Sequence, residues 1–253
     1  GGKGLQLSKH AELLRNGAIG LSDDDFMPPI ELVKQGFLLG EMQKFPILFA
    51  PRDKSLQAGG MSRQSVDTLR SGFPIDPVES EIIPLTQLIE LHKQHPEIGL
   101  RLMNISTAQG VSILQNSSLR PMTTIFWWHL VMDNSILSPS DIGWSVTPSL
   151  GTPLDRASLI KGLEDNVLAA ISVHSTPTDD SESKLPANKR KKGISCYKLV
   201  LPMLWNQLVR NSGWEVEKLW EKISFGPSKF LNQSEEELNL NSNRWLLFDP
   251  DKE

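Results

Sequence analysis

His129, His174, Asp23, Asp24, Asp53 and Asn104 are the residues whose types and placing could carry chemistry. Each lies at or near the end of a run that reads as a β-strand. Two histidines with two acids supply enough donors for a mononuclear zinc or iron site, so Asp23, Asp24, His129 and His174 are the weak metal candidates. His174 stands where the apolar run from Ala169 to Val173 meets the polar turn Ser175-Thr-Pro-Thr-Asp-Asp180. A histidine there is a candidate acid or base, and equally an ordinary hydrogen-bonded strand-end residue. A serine nucleophile is the weaker reading, because neither Ser106 nor Ser175 has the flanking glycines of an elbow. Cys196, the single cysteine, has no evident base beside it and reads as structural.

The elements that must position these groups alternate. Strands are expected at Ala18–Leu21, Phe45–Phe49, Leu100–Asn104, Met122–Trp128, Trp144–Val146 and Ala169–Val173. Between them lie helical stretches: Lys9–Asn16 capped by Ser8, Pro28–Met42, Val78–Lys93 interrupted by Pro84, a helix capped at Ser106-Thr107 and running to Gln115, and Asp155–Leu163. Lys54–Pro77 is a long excursion with a short helix near Arg63–Leu69. Leu199–Val209, Val216–Ile223 and Pro227–Leu231 are helices, and Arg244–Asp249 is a terminal strand. Strand and helix alternating in one direction predict parallel βα units, hence an α/β barrel or a doubly wound sheet. In such folds ligands gather at the carboxyl ends of the strands.

Composition excludes several classes. The 253 residues carry a net charge of -4, and nucleic-acid binding needs a concentrated basic face. The only basic concentration, Lys184 with Lys189-Arg-Lys-Lys192, reads as a solvated loop or as an anion-attracting lid. No apolar run approaches the roughly 20 residues that span a bilayer. One cysteine points to a reducing, cytoplasmic compartment. The loop-like Gly1-Gly-Lys-Gly4 and the closing Asp249-Pro-Asp-Lys-Glu253 read as cuts in a longer gene, so a fragment is expected.

The order of the strand-end segments carries a resemblance. Gly17-Ala-Ile-Gly-Leu-Ser-Asp-Asp24 looks like a strand ending in paired acids, and Leu102-Met-Asn-Ile-Ser-Thr107 like one ending in H-V-S-T. Trp127-Trp-His-Leu130 is similar to P-H-H-L, and Val146-Thr-Pro-Ser-Leu150 with Asp155-Arg156 is similar to V-N-P-P-L-R with its D-R helix start. Val173-His-Ser-Thr-Pro177 looks like T-D-H-A-P. Gly193-Ile194 through Leu201-Pro202, then Ser224-Phe-Gly-Pro-Ser228, look like the segments that follow. In this order they resemble dihydroorotase, of the cyclic amidohydrolase superfamily, over essentially the whole chain.

That resemblance implies an incomplete TIM barrel of the metal-dependent hydrolase type. Residues 1–232 would be a partial barrel lacking its first strands, and 233–253 the start of an accessory β-sandwich. It also implies one or two zinc ions at the barrel mouth and an aspartate base for cyclic amide hydrolysis. The sequence departs from the pattern at those points. Ala50 and Asn104 stand where histidines belong, His174 replaces the catalytic aspartate and Ser175 the next histidine. Thr147 and Gly151 replace the substrate-binding asparagine and arginine. Trp127 and Trp128 read as core filler or as a binding wall. The resemblance therefore implies a divergent member lacking most metal ligands. His174 and Asp24 are its vestigial catalytic positions, and Asn104, Thr147 and His129 its substrate contacts. No metal or cofactor is expected, and the function implied is a non-hydrolytic scaffold in pyrimidine biosynthesis. Its partner would be aspartate carbamoyltransferase or a second copy. An active cyclic amidohydrolase interconverting dihydroorotate and carbamoyl-aspartate on zinc with an altered shell is the alternative.

Overall fold

The computed structural model describes residues 6–251 apart from 24, 40–42, 44, 139–143, 178, 236–238, 241 and 243–245. Its centre is a parallel sheet in which β1 (Leu21–Ser22), β2 (Ile47–Phe49), β5 (Leu100–Leu102), β6 (Met122–Phe126) and β7 (Ala170–Ser172) lie side by side in that order. The register sets Leu21 beside Ile47, Ile47 beside Leu100, and Ile125 beside Ile171. Strands covered on both faces are apolar in near-continuous runs, and here Ile47, Phe49, Leu100, Leu102, Ile125, Phe126, Ala170 and Ile171 are all buried.

Helices α1 (His10–Arg15), α2 (Ile30–Leu38), α5 (Glu79–Gln94), α6 (Ala108–Gln115) and α8 (Pro153–Glu164) connect and cover the strands. In α5 the buried face is Leu85, Leu88, Ile89 and His92, the three- and four-residue spacing of an amphipathic helix, while Glu79 and Glu81 sit in its first turn. Thr107 caps α6 by accepting from the Gly110 amide. Thr152 and Asp155 form a reciprocal capping box on α8, with Pro153 as its first residue.

Several expected elements differ. Ser8 does not cap α1; the preceding residue is Lys9, without a side-chain cap. The expected strand Met122–Trp128 ends at Phe126, because Trp127 turns the chain into the short helix α7 (Trp128–Val131). Trp127 and Trp128 are buried, core filler rather than pocket wall. Trp144–Val146 is not a strand, although all three residues are buried. The excursion after β2 contains α3 (Lys54–Gln57), α4 (Val66–Ser71) and a separate parallel pair, β3 (Ser62–Arg63) with β4 (Ile75–Asp76). Leu246–Asp249 is irregular where a strand is expected from Arg244, itself outside the described residues.

Candidate functional site at the strand ends

The chain continues the parallel ladder for a residue or two beyond each strand. The amide of Asp23 donates to Leu48 O (3.2 Å), Met103 N to Phe49 O (2.8 Å), Ile105 N to Thr124 O (3.1 Å) and Trp127 N to Ser172 O (3.0 Å). The segments after β1, β2, β5, β6 and β7 therefore lie abreast at one rim. A pocket of about 370 Å³ opens there. Asp25, Asn104, Thr147, His174 and Lys192 give it polar walls, and Phe126, Val173 and Tyr197 give apolar ones.

Asn104 organises the centre. Its backbone is left-handed (φ 57), a conformation asparagine tolerates better than most residues. Its Oδ1 accepts from the Ser172 hydroxyl at 2.5 Å, and its Nδ2 lies 2.8 Å from His174 Nε2. An amide nitrogen can only donate, so Nε2 accepts and the imidazole carries its proton on Nδ1. Burial of part of the ring lowers the His174 pKa; the Arg52 charge lowers it further, and Asp25 opposes both. His174 is a neutral ring, open to the pocket on one edge.

Arg52 is the group behind the wall. It is buried, donating from Nε to Asp25 O (2.7 Å) and reaching Asp25 Oδ1 from Nη2 at 3.4 Å. A second buried arginine, Arg63, serves the scaffold. It pairs with Asp76 and Glu81, whose carboxylate in turn accepts from the Ser106 and Thr107 amides and fixes the loop that presents Asn104.

Asn104, Thr147 and His174 line one pocket. His129 is not among its lining residues. It is buried below, with Nε2 donating to Ser149 O (3.3 Å), and desolvation depresses its pKa to about 4. Asp53 is also elsewhere: it caps α3, accepting from the Ser55 and Leu56 amides. Asp23 does not line the pocket, and Asp24 lies outside the described residues. Of the basic segment, Lys192 reaches the pocket and donates from Nζ to Gly60 O (2.7 Å), while Lys184, Lys189 and Lys191 stay exposed. Sequence reasoning passed over Arg52 and Asp25. Both sit in strand-end polar runs, Ala50-Pro-Arg-Asp53 and Ser22-Asp-Asp-Asp25, and that position was the available signal.

No protein-family model matches the chain. A probable dihydroorotase-like protein from Synechocystis sp. is 30% identical over 263 residues, covering 100% of this chain and 58% of the relative. The dihydroorotase of Thermoanaerobacter sp. is 25% identical over 238 residues, covering 92% of this chain and 55% of that one. The chain is a dihydroorotase homologue. It spans little more than half the length of these curated relatives.

Among solved structures, a D-hydantoinase superposes with a TM-score of 0.72 at 14% identity, covering 88% of this chain and 54% of that one. The dihydroorotase of Saccharomyces cerevisiae in complex with 5-fluoroorotic acid superposes at 0.66 and 14%, covering 90% and 66%. At such identities the likeness shows the fold: this dihydroorotase homologue has the parallel α/β architecture of a TIM-barrel amidohydrolase over part of the barrel.

The described donors do not fit the zinc that the resemblance implies. Among the described residues no three His, Cys, Asp or Glu side chains converge as a metal shell. The Asn104 oxygen is engaged by Ser172, its nitrogen occupies the lone pair of His174 Nε2, and the field of the Arg52 cation reaches the His174 ring. An amide is a poor zinc ligand and an arginine repels the ion.

Proposed function

We propose that this dihydroorotase homologue acts in pyrimidine metabolism in the cytoplasm without hydrolysing cyclic amides, as a scaffold or partner subunit. Aspartate carbamoyltransferase, or a second copy of the chain, is the partner it would hold. The observation that carries this reading is the rim itself. Cyclic amide hydrolysis on a metal needs deprotonated donors converging on one point. The rim instead offers the Asn104 amide, a neutral His174 that already accepts a hydrogen bond, and one carboxylate, Asp25, paired with the Arg52 cation behind it.

The test is made on the full-length protein, purified without chelator. Metal analysis and an assay of dihydroorotate and carbamoyl-aspartate interconversion are expected to give neither stoichiometric zinc nor turnover. Zinc together with turnover would establish the alternative, an active cyclic amidohydrolase with an altered shell, which draws its support from the dihydroorotase relatives. Co-elution with aspartate carbamoyltransferase of the same organism tests the partner. Elution of both proteins at their separate sizes removes that enzyme from the proposal.

A further inference from the structure

Lys192 lines the pocket, while Lys184, Lys189 and Lys191 of the same segment stay exposed. The chain beside it is pinned, because the Gly193 amide donates to Ser145 O at 2.7 Å. Lys192 Nζ donates to Gly60 O, also at 2.7 Å, and no carboxylate pairs with it among the described residues. An ammonium group has three donors and no acceptor. One carbonyl serves only one of them. A neutral amine keeps that bond through a single N–H and has a lone pair to spare.

The charges around this amine do little to hold a proton on it. Asp76 is the acid that acts on it, and its carboxylate is already engaged by Arg63 Nη1 (3.0 Å), the Ser80 hydroxyl (2.6 Å) and Gln57 Nε2 (3.2 Å). Asp25 and the neutral His174 stand elsewhere on the pocket wall. Burial is the larger influence, and it lowers the Lys192 pKa against the opposing pull of Asp76. A desolvated lysine of lowered pKa is a nucleophile suited to carbonyl compounds.

We propose that Lys192 is a reactive amine of this pocket and condenses reversibly with a small uncharged aldehyde or ketone. The amine nitrogen attacks the carbonyl carbon, and the C–N bond forms as the oxygen gains the proton that nitrogen loses. The carbinolamine then expels that oxygen as water and leaves a C=N double bond. One water is released, and nothing is oxidised or reduced. A protonated imine retains an N–H for Gly60 O, so the contact that seats Lys192 survives the condensation. The walls favour an uncharged partner. The Asp25 carboxylate repels an anionic acyl donor, and Phe126, Val173 and Tyr197 accept a short apolar chain. Condensation needs no metal, so it stands whether or not the rim binds zinc.

The experiment uses full-length wild-type protein in excess chelator, incubated with propanal at a series of pH values. A pulse of borohydride traps the imine, and peptide mass spectrometry reads each lysine. At pH 7.5 Lys192 should carry several times more adduct than Lys184, Lys189 or Lys191, the exposed lysines of its own segment. Its adduct should level off below pH 10.5, the ordinary lysine value. Labelling at Lys192 equal to or below that of the three exposed lysines overturns the proposal. So does a Lys192 adduct that keeps rising through pH 10.5. Preferential acetylation of Lys192 by acetyl phosphate, with no preference for it by propanal, overturns the assignment to carbonyl compounds.

Discussion

Asn104 Nδ2 and His174 Nε2 meet at 2.8 Å across 70 residues of sequence, tying the rim after β5 to the rim after β7. The donor is neutral and cannot reverse its role, so it favours the uncharged imidazole. A carboxylate in place of the amide would present an acceptor with a full negative charge to the same nitrogen. In Asn104→Asp the His174 pKa should therefore rise above its ordinary value, whereas in the wild type it lies below. The imidazole proton resonances followed against pH by NMR read both. A His174 ring that titrates below the ordinary range in Asn104→Asp would sink the assignment.

His129 sets a pH dependence of stability. Its folded pKa is depressed to about 4 from 6.5, first by desolvation and further by the charges of Arg63 and Arg52. Above pH 6.5 both folded and unfolded chains carry it neutral and its contribution is complete. As pH falls from 6.5 towards 4 the unfolded chain takes up the proton and the folded one does not, so stability falls by about 3 kcal/mol. His174 and His92, also depressed, act in the same direction. Urea unfolding at pH 7 and pH 4.5 should show the loss, and His129→Gln should remove most of its slope. Equal slopes in the two proteins would place the effect elsewhere.

Glu81 holds the loop that carries Asn104. Its Oε2 accepts from the Ser106 amide (2.9 Å) and hydroxyl (2.5 Å) and pairs with Arg63 Nη2 (3.4 Å). Its Oε1 accepts from the Thr107 amide (3.1 Å) and hydroxyl (2.6 Å). All of this is buried, so Glu81→Ala leaves the Ser106 and Thr107 amides without their acceptor and takes from Arg63 one of its two acid partners, Asp76 remaining. Removing one side of a buried charge pair costs about 3–5 kcal/mol. A loss below about 1 kcal/mol in urea unfolding would mean that water or another acid takes its place.

Much of this was legible in the sequence, for reasons that can be named. The alternation of apolar strand runs with capped helices showed parallel βα units, and Thr107 caps α6 where a cap was expected. Asn104 and His174 were expected near one rim because strand ends of a parallel sheet converge, while Thr147 was named through the resemblance alone. His129 and Asp53 also follow strands, but what decides their place is local. The turn at Trp127 carries His129 under the rim, and the Asp53 carboxylate is drawn to the free amides of α3. The pairing of Arg52 with Asp25 joins loops 27 residues apart, and no pattern along the chain announces it. The strand expected at Trp144–Val146 failed because burial alone makes β-forming residues look like a strand even in irregular chain.

Gly193 gives the last test, because it closes the basic segment onto the pocket. Its φ of 140 lies where side chains are strained, and a Cβ there would fall 2.3 Å from the Thr176 side chain. Its amide donates to Ser145 O at 2.7 Å, and beside it the Thr176 amide donates to Ile194 O at 3.0 Å. Gly193→Ala must therefore move the backbone away from Thr176 and give up one or both of those bonds. Strain of this kind costs about 1–3 kcal/mol, and it falls on a surface loop rather than on the core. The expected result is local: global unfolding changes little, while trypsin cuts at Lys189, Arg190, Lys191 and Lys192 several times faster. Relieving the clash in Gly193→Ala/Thr176→Ala should restore part of the protection. Unchanged cleavage in the single variant would mean that the segment is held by its other contacts, Lys192 on Gly60 foremost.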